Sequence, residues 1–101
     1  MQIEVLPAFD RWLAGIRDAE ARRRIATRLL RLQRGNPGDG RFLRDGVSEL
    51  KIDHGPGYRV YYAKRGDILL LLLGGGDKAT QARDIEKAIG DLKGWQHERK
   101  S

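Results

Sequence analysis

The 101-residue sequence contains no cysteine, three prolines and few aromatic residues, which make up 7% of the chain. The absence of cysteine excludes disulfides, thiolate zinc sites and a thiol nucleophile, and it fits a protein of the reducing cytoplasm. No apolar run approaches the about 20 residues that a membrane-spanning helix needs. The first residues also lack the charged and apolar regions of a signal peptide. We therefore expect a cytoplasmic protein that has no membrane partner.

Positive charge is what the chain has in excess. Twenty Lys and Arg residues stand against fourteen Asp and Glu, which gives a formal net charge of +6 and a pI near 10.1. A surplus of this size favours a polyanionic partner such as nucleic acid, and a solvated basic surface is the plain alternative. The length fits one domain. We place that domain at residues 1–92 and predict a basic, flexible tail at residues 93–101.

The predicted elements follow the order of one strand, two helices, a run of strands and a final helix. Apolar residues at positions i, i+3, i+4 and i+7 predict the two N-terminal helices, and a glycine-rich stretch after Arg34 ends the second. Turn signals separate the later strands. The uninterrupted leucine run predicts a central strand that is buried on both faces and ends at Gly74. The predicted strands are Gln2–Leu6, Arg41–Arg44, Val47–His54, Tyr58–Lys64 and Ile68–Leu73, and the final helix is Thr80–Leu92.

This order predicts an α+β fold. Two N-terminal helices pack on one face of a curved, mainly antiparallel sheet of about four to five strands, and a short C-terminal helix follows. The other face of the sheet is expected to be open.

A hairpin loop at residues 55–57 decides which side chains share that open face. A three-residue loop pairs His54 with Tyr58 and turns the apolar strand residues toward the helices. The alternate residues then lie on the open face, namely Glu49, Lys51, Asp53, Arg59 and Tyr61. Lysine and arginine can neutralise phosphates and tyrosine can stack on an unpaired base, so this face is a candidate RNA-binding surface. A solvated sheet face with cross-strand charge pairs is the alternative.

The glycine run at residues 74–76, followed by Lys78, is a second candidate phosphate site. Successive backbone N–H groups could cradle a phosphate there, and an ordinary strand-to-helix turn is the alternative. The spacing is neither that of a Walker A loop nor that of a dinucleotide fingerprint. No His, Asp and Glu cluster has the spacing of metal ligands. We therefore predict no metal and no cofactor.

Two longer motifs resemble a known family. The run ELKIDHGPGYRVYY and the run GGGDKATQARDIEKA are similar to the RelE/ParE toxin superfamily, and most of all to its HigB-like branch of addiction module killer proteins. The earlier runs FDRWL and RIATRLLRLQRGNPGD also resemble that branch, so the similarity extends to about Lys93. It implies the fold given above and the toxin of a type II toxin–antitoxin system. Such toxins are metal-independent endoribonucleases (mRNA interferases) that act on the ribosome, where the RNA 2′-hydroxyl attacks the adjacent phosphate.

The resemblance also implies site residues and partners. It implies catalytic roles for Arg59, Lys51 and Lys78, which would stabilise the transition state and the leaving oxygen. It implies RNA contacts by Tyr61, Arg44, Arg83 and Gln81. The general base stays open between Lys51, Asp84, Asp77 and the substrate's own geometry, because the C-terminal helix lacks the tyrosine of RelE. The implied partners are mRNA, the ribosome and a HigA-like helix-turn-helix antitoxin, through which alone the toxin would reach operator DNA.

Two other functions remain open on the same scaffold. A ParE-like toxin would act on DNA gyrase and cleave no RNA. A catalytically decayed module would bind RNA or protein only. The presence of Lys51, Arg59 and Lys78 favours the ribonuclease.

Overall fold

The computed structural model describes residues 1–38 and 40–100. Asp39, in the glycine-rich stretch after the second helix, and Ser101, at the end of the predicted tail, lie outside the described residues. The described part is an α+β fold with a five-stranded sheet. The strands are β1 (Gln2–Val5), β2 (Gly40–Arg44), β3 (Val47–Ile52), β4 (Tyr58–Arg65) and β5 (Leu69–Asp77), and the helices are α1 (Pro7–Ala14), α2 (Ala19–Gln33), a single 3-10 turn (Lys78–Thr80) and α3 (Gln81–Lys100).

The sheet has the strand order β1-β5-β4-β3-β2 and is mixed rather than wholly antiparallel. Strand β1 pairs with β5 in parallel, and the remaining neighbours pair in antiparallel fashion. The leucines of β5 are at most 2% exposed from Leu70 to Leu73, which confirms a central strand buried on both faces. The prediction that this strand ends at Gly74 is wrong, because the glycines continue the ladder opposite β4 as far as Asp77.

The two N-terminal helices cover one face of the sheet, as predicted. Phe9 of α1 and Ile25 of α2 pack with Leu50, Val60 and Leu72 in one buried cluster. Helix α2 begins where the carboxylate of Asp18 accepts hydrogen bonds from the first backbone N–H groups, which satisfies donors that a helix start leaves free.

The prediction of an open second face is wrong, because α3 covers it. Ile89 and Leu92 of α3 pack with Tyr61, Leu71 and Leu73 in a second buried cluster. Successive residues of a strand face opposite sides, so a continuous leucine run places leucines on both faces of the sheet. Exposing either set to water costs free energy, so both faces need a cover. Among the described residues, no helix is both long and apolar enough to cross a membrane.

Helix α3 has 20 residues and is not the short helix that was predicted. It continues through the residues that we expected to form a flexible tail. Trp95 lies on its buried side, where the indole Nε1 donates a 2.5 Å hydrogen bond to the Glu4 carboxylate of β1. The guanidinium groups of Arg65 and Arg99 lie 5.4 and 4.8 Å from the centre of the indole ring. These contacts attach the last turns of α3 to the sheet.

The β3–β4 hairpin has a longer loop than predicted. Ile52 pairs with Tyr58 and Lys51 with Arg59, so residues 53–57 form the connection and His54 is outside the ladder. The register therefore differs from the predicted one by two residues. Because side chains alternate with a period of two, this shift leaves every residue on its predicted face. Lys51 and Arg59 thus share the α3 side of the sheet with Glu49 and Tyr61.

Candidate active site

Lys51 and Arg59 are directly opposite each other on neighbouring strands, and Arg59 is also opposite Gly76 of β5. These three residues form a row across the end of the sheet next to the start of α3. Directly opposite side chains have Cβ atoms about 5 Å apart. Lys78 follows β5 immediately, and its Cβ lies close to Gly57 at the start of β4. The three predicted catalytic residues therefore lie at the same end of the sheet.

The three cations differ in their access to solvent. Lys51 and Lys78 are exposed, whereas Arg59 is 6% exposed. The Arg59 Nη1 atom donates a 3.0 Å hydrogen bond to Oε1 of Glu49, which is itself 1% exposed. A buried carboxylate thus neutralises one of the three cations to which the resemblance implies catalytic roles. The two lysines are the charges that a ligand would meet first.

Glu49 is held by groups from three elements. Besides Arg59, Nε2 of Gln81 donates to its Oε2 over 2.7 Å from the first residue of α3. Nε of Arg41, on β2, lies 3.6 Å from Oε1. A carboxylate with several donors can remain charged in a buried place. Glu49 therefore fixes the position of Arg59 and connects it to the N-terminus of α3.

Tyr61 does not offer the stacking surface that we predicted. Its side chain is fully buried beneath α3, so neither face of the ring is available to a base. Burial raises the pKa of its hydroxyl above the usual range, and the nearby carboxylates of Glu49 and Asp84 raise it further. The hydroxyl therefore stays protonated, and it has no hydrogen-bond partner among the described residues.

The turn between β5 and α3 places a carboxylate beside the row. Asp77 and Thr80 form a capping box, in which Oδ1 of Asp77 accepts from the Thr80 N–H over 3.2 Å. The Thr80 hydroxyl also donates to Oδ2 of Asp84 over 2.5 Å. Asp84 lies over Gly76, and a Cβ at that position would collide with its carboxylate. Glycine at residue 76 thus makes room for Asp84 next to Arg59.

The remaining predicted RNA contacts are divided between two places. Gln81 joins the row through Glu49, and Arg83 is exposed on the first turn of α3. Arg44 lies at the opposite end of β3, where its guanidinium forms ion pairs with Asp45 and Glu86. Arg44 pairs with Val47, which lies four positions before Lys51, a distance of about 13 Å along the strand. The structure therefore does not bring Arg44 to the row.

Sequence reasoning placed Glu49 on the correct face but gave it no role. The available signal was its position two residues before Lys51, which puts a carboxylate among cations on one face of a strand. Within residues 1–38 and 40–100, no group of three or more His, Cys, Asp or Glu side chains lies close enough together to hold a metal ion.

No protein-family model matches the chain. It is 46% identical over 88 residues to an uncharacterized protein of Haemophilus influenzae, and this match spans 87% of the chain and 89% of that protein. The chain belongs to the family of the Haemophilus protein. Since 88 of the 101 residues are aligned, a continuous alignment includes residues 14–88 whichever end it omits. The part related to the Haemophilus protein therefore contains Lys51, Arg59 and Lys78.

Proposed function

We propose that this chain is the toxin of a type II toxin–antitoxin system, of the RelE/ParE superfamily and its HigB-like branch. On this proposal it is an endoribonuclease that cleaves mRNA on the ribosome, in the cytoplasm and without a metal. The proposal rests on one observation, that Lys51, Arg59 and Lys78 all lie at one end of the sheet. These are the three positions to which the family resemblance assigns catalytic roles, and Lys78 follows Arg59 by 19 positions in the sequence.

Local charge supports an RNA ligand at this place. Two exposed lysines lie on either side of a buried arginine, and Arg83 adds a third exposed cation on α3. Cations at this spacing attract phosphate groups, and charge stabilisation is the main requirement for cleaving a phosphodiester. We assign the direct phosphate contacts to Lys51 and Lys78. Arg59 adds positive charge beneath the two lysines without a direct phosphate contact, because its Nη1 donates to Glu49.

The proposed reaction needs only groups of the RNA and of the protein. The 2′-hydroxyl oxygen attacks the adjacent phosphorus in line, the bond to the 5′-oxygen of the next nucleotide breaks, and a 2′,3′-cyclic phosphate and a 5′-hydroxyl result. One proton leaves the 2′-hydroxyl for a carboxylate of the protein, and the Lys78 ammonium gives one to the leaving oxygen. Asp77 belongs to the capping box, whereas Asp84 lies over Gly76 beside the row, with its Oδ2 accepting from the Thr80 hydroxyl. We therefore favour Asp84 as the proton acceptor and Lys78 as the group that stabilises the leaving oxygen.

The proposal includes an antitoxin partner. A HigA-like helix-turn-helix protein would bind the toxin, mask the row and carry the complex to operator DNA. The toxin itself would then contact operator DNA only through this partner. The surplus of positive charge on the toxin suits a partner segment rich in Asp and Glu.

Primer extension on total mRNA after brief induction tests the cleavage. Arg59→Ala is the obvious variant, but it removes one half of a buried ion pair and risks unfolding. Lys51→Ala is sharper because Lys51 is exposed, and Lys64→Ala is a matched control at the far end of β4. We expect new 5′ ends inside translated frames with the wild type and with Lys64→Ala, and none with Lys51→Ala. Growth arrest without new 5′ ends would contradict the proposal and indicate a protein target such as gyrase.

The buried pair of Glu49 and Arg59 favours a second candidate function. An arginine neutralised by a carboxylate 3.0 Å away is a weaker stabiliser of a phosphorane than a free one. A module that binds RNA or protein without cleaving it needs no such stabiliser. RNA binding by the wild type in vitro, together with unaltered growth and unaltered mRNA on induction, would support this second function.

A further inference from the structure

A second basic surface lies on the helix side of the molecule, between α2 and the end of β3. We call it the arginine groove. It encloses a volume of about 440 Å³ and is lined by Glu20, Arg23, Arg24, Thr27, Arg28 and Arg31 of α2 and by Ile52 and Asp53. It is separate from the row of Lys51, Arg59 and Gly76, which faces α3.

The charge of the groove comes from one helix. Helix α2 contains five arginines and a single acidic residue, Glu20. Glu20 forms ion pairs with Arg23 and Arg24 at one end of the groove, and the three side chains are 44–70% exposed. Exposed pairs of this kind contribute little to stability, so a phosphate can replace the carboxylate at little cost. Arg31, in the last turn of α2, is exposed at the other end.

Arg28 connects the groove to the row. Its Nη1 donates a 3.0 Å hydrogen bond to the backbone carbonyl of Lys51. Ile52 and Asp53, the two residues that follow Lys51, line the groove. The groove and the row therefore lie on two sides of the same strand end. A chain bound at Lys51 therefore lies next to the groove.

We propose that the arginine groove binds the phosphates of single-stranded RNA that flanks the segment held at Lys51. This inference rests on the proposed function and extends it from a cleavage point to a path of several nucleotides. Arg24, Arg28 and Arg31 follow one face of α2, with axial steps of about 6 and 4.5 Å. Arginine binds phosphate through a planar fork of donors, which suits a repeated backbone contact.

The composition of the groove favours nucleic acid over an acidic protein. Protein partners place apolar and aromatic side chains at the centre of an interface. The one large apolar side chain of the groove, Ile52, is 2% exposed and belongs to the core. The polar donors of the groove are the guanidinium groups of its four arginines and the hydroxyl of Thr27, which fit contacts to a sugar–phosphate backbone.

Oligonucleotide binding tests the inference without cleavage. The probe is a fluorescent 2′-O-methyl RNA, which lacks the attacking hydroxyl, and its anisotropy is followed over a range of salt concentrations. The test variant is Arg24→Gln with Arg31→Gln. The control is Lys64→Gln with Lys93→Gln, which removes two exposed charges from β4 and α3. Each lost phosphate contact lowers the log–log salt slope by about 0.7, so we expect a slope shallower by about 1.4 and binding roughly 25-fold weaker at 0.1 M salt.

The salt dependence of RNA binding shows whether the arginine groove contacts RNA in addition to the row. Equal slopes for wild type and groove variant, or an equal change in the control variant, would overturn the inference. So would a groove variant that loses binding to poly-glutamate while keeping its RNA affinity, since this would assign the groove to an acidic protein. Primer extension with wild type reports the proposed cleavage independently. If the wild type cleaves mRNA and the groove variant keeps full RNA affinity, RNA binding by the groove is refuted and the proposed cleavage is not.

Discussion

Arg59 and Lys51 are direct neighbours across two strands, but only Arg59 is bound to the buried carboxylate of Glu49, 3.0 Å away. Lys51 keeps its ammonium group in solvent. The pair therefore combines one cation fixed inside the protein with one available to a ligand. Substitutions at the two positions are expected to act on different properties, folding for Arg59 and ligand contact for Lys51.

Glu49→Ala should lower the free energy of unfolding by about 3–5 kcal/mol, because it leaves the guanidinium of Arg59 buried without a counter-charge. Urea denaturation followed by circular dichroism measures this loss. The double variant Glu49→Leu with Arg59→Met should recover most of it, since an apolar pair needs no compensation. A single-variant cost below about 1 kcal/mol would instead indicate that water reaches the ion pair.

Tyr61→Phe should leave stability unchanged or slightly higher, because the hydroxyl that it removes is buried without a hydrogen-bond partner among the described residues. Thermal and urea unfolding both report the change. Tyr61→Ala is the contrast, and a loss of about 3–5 kcal/mol is expected when the ring is removed from the core. A large loss of stability in Tyr61→Phe would show that the hydroxyl has a partner, such as a bound water.

Gly75→Ala should destabilise the protein by about 1–3 kcal/mol, because a Cβ at this position would overlap the indole of Trp12. Gly74→Ala is a matched control one residue earlier on the same strand, where the space around a Cβ is open within 4 Å. It should change stability by less than about 1 kcal/mol. The midpoints of urea unfolding compare the two, and equal values would contradict the close packing of Trp12 on β5.

Trp95→Phe should make the stability less dependent on acid. The indole hydrogen bond, and to a lesser extent Arg99, lowers the pKa of Glu4 below its ordinary 4.5. A lowered pKa stabilises the folded state above pH 4.5, and this stabilisation disappears as the pH falls through the lower, folded-state pKa. The substitution should therefore cost more at pH 7 than at pH 2.

Unfolding measured at both pH values provides the check. In a Glu4→Gln background the cost of Trp95→Phe should be the same at each pH, because the titrating partner is gone. A pH-dependent cost that persists in that background would assign the effect to another carboxylate.

The sequence predicts the face of each strand residue better than it predicts what covers that face. Alternation along β3 and β4 correctly grouped Lys51, Arg59 and Tyr61, even though the loop was two residues longer than expected. Alternation carries no information on whether a helix returns to cover those side chains. The position of the covering helix α3 depends on the contact of Trp95 with Glu4, which are 91 positions apart and meet only in the folded chain. The burial of Tyr61 and the burial of the Glu49–Arg59 pair both follow from this cover.

The parallel pairing of β1 with β5 has a consequence for synthesis on the ribosome. Gln2 pairs with Leu69, so the first strand emerges from the ribosome 67 residues before its partner. At about 5–20 residues per second this delay lasts roughly 3–13 s. Gln81, which holds Glu49 in place, is made later still. A nascent chain therefore cannot assemble the row before most of it has been translated.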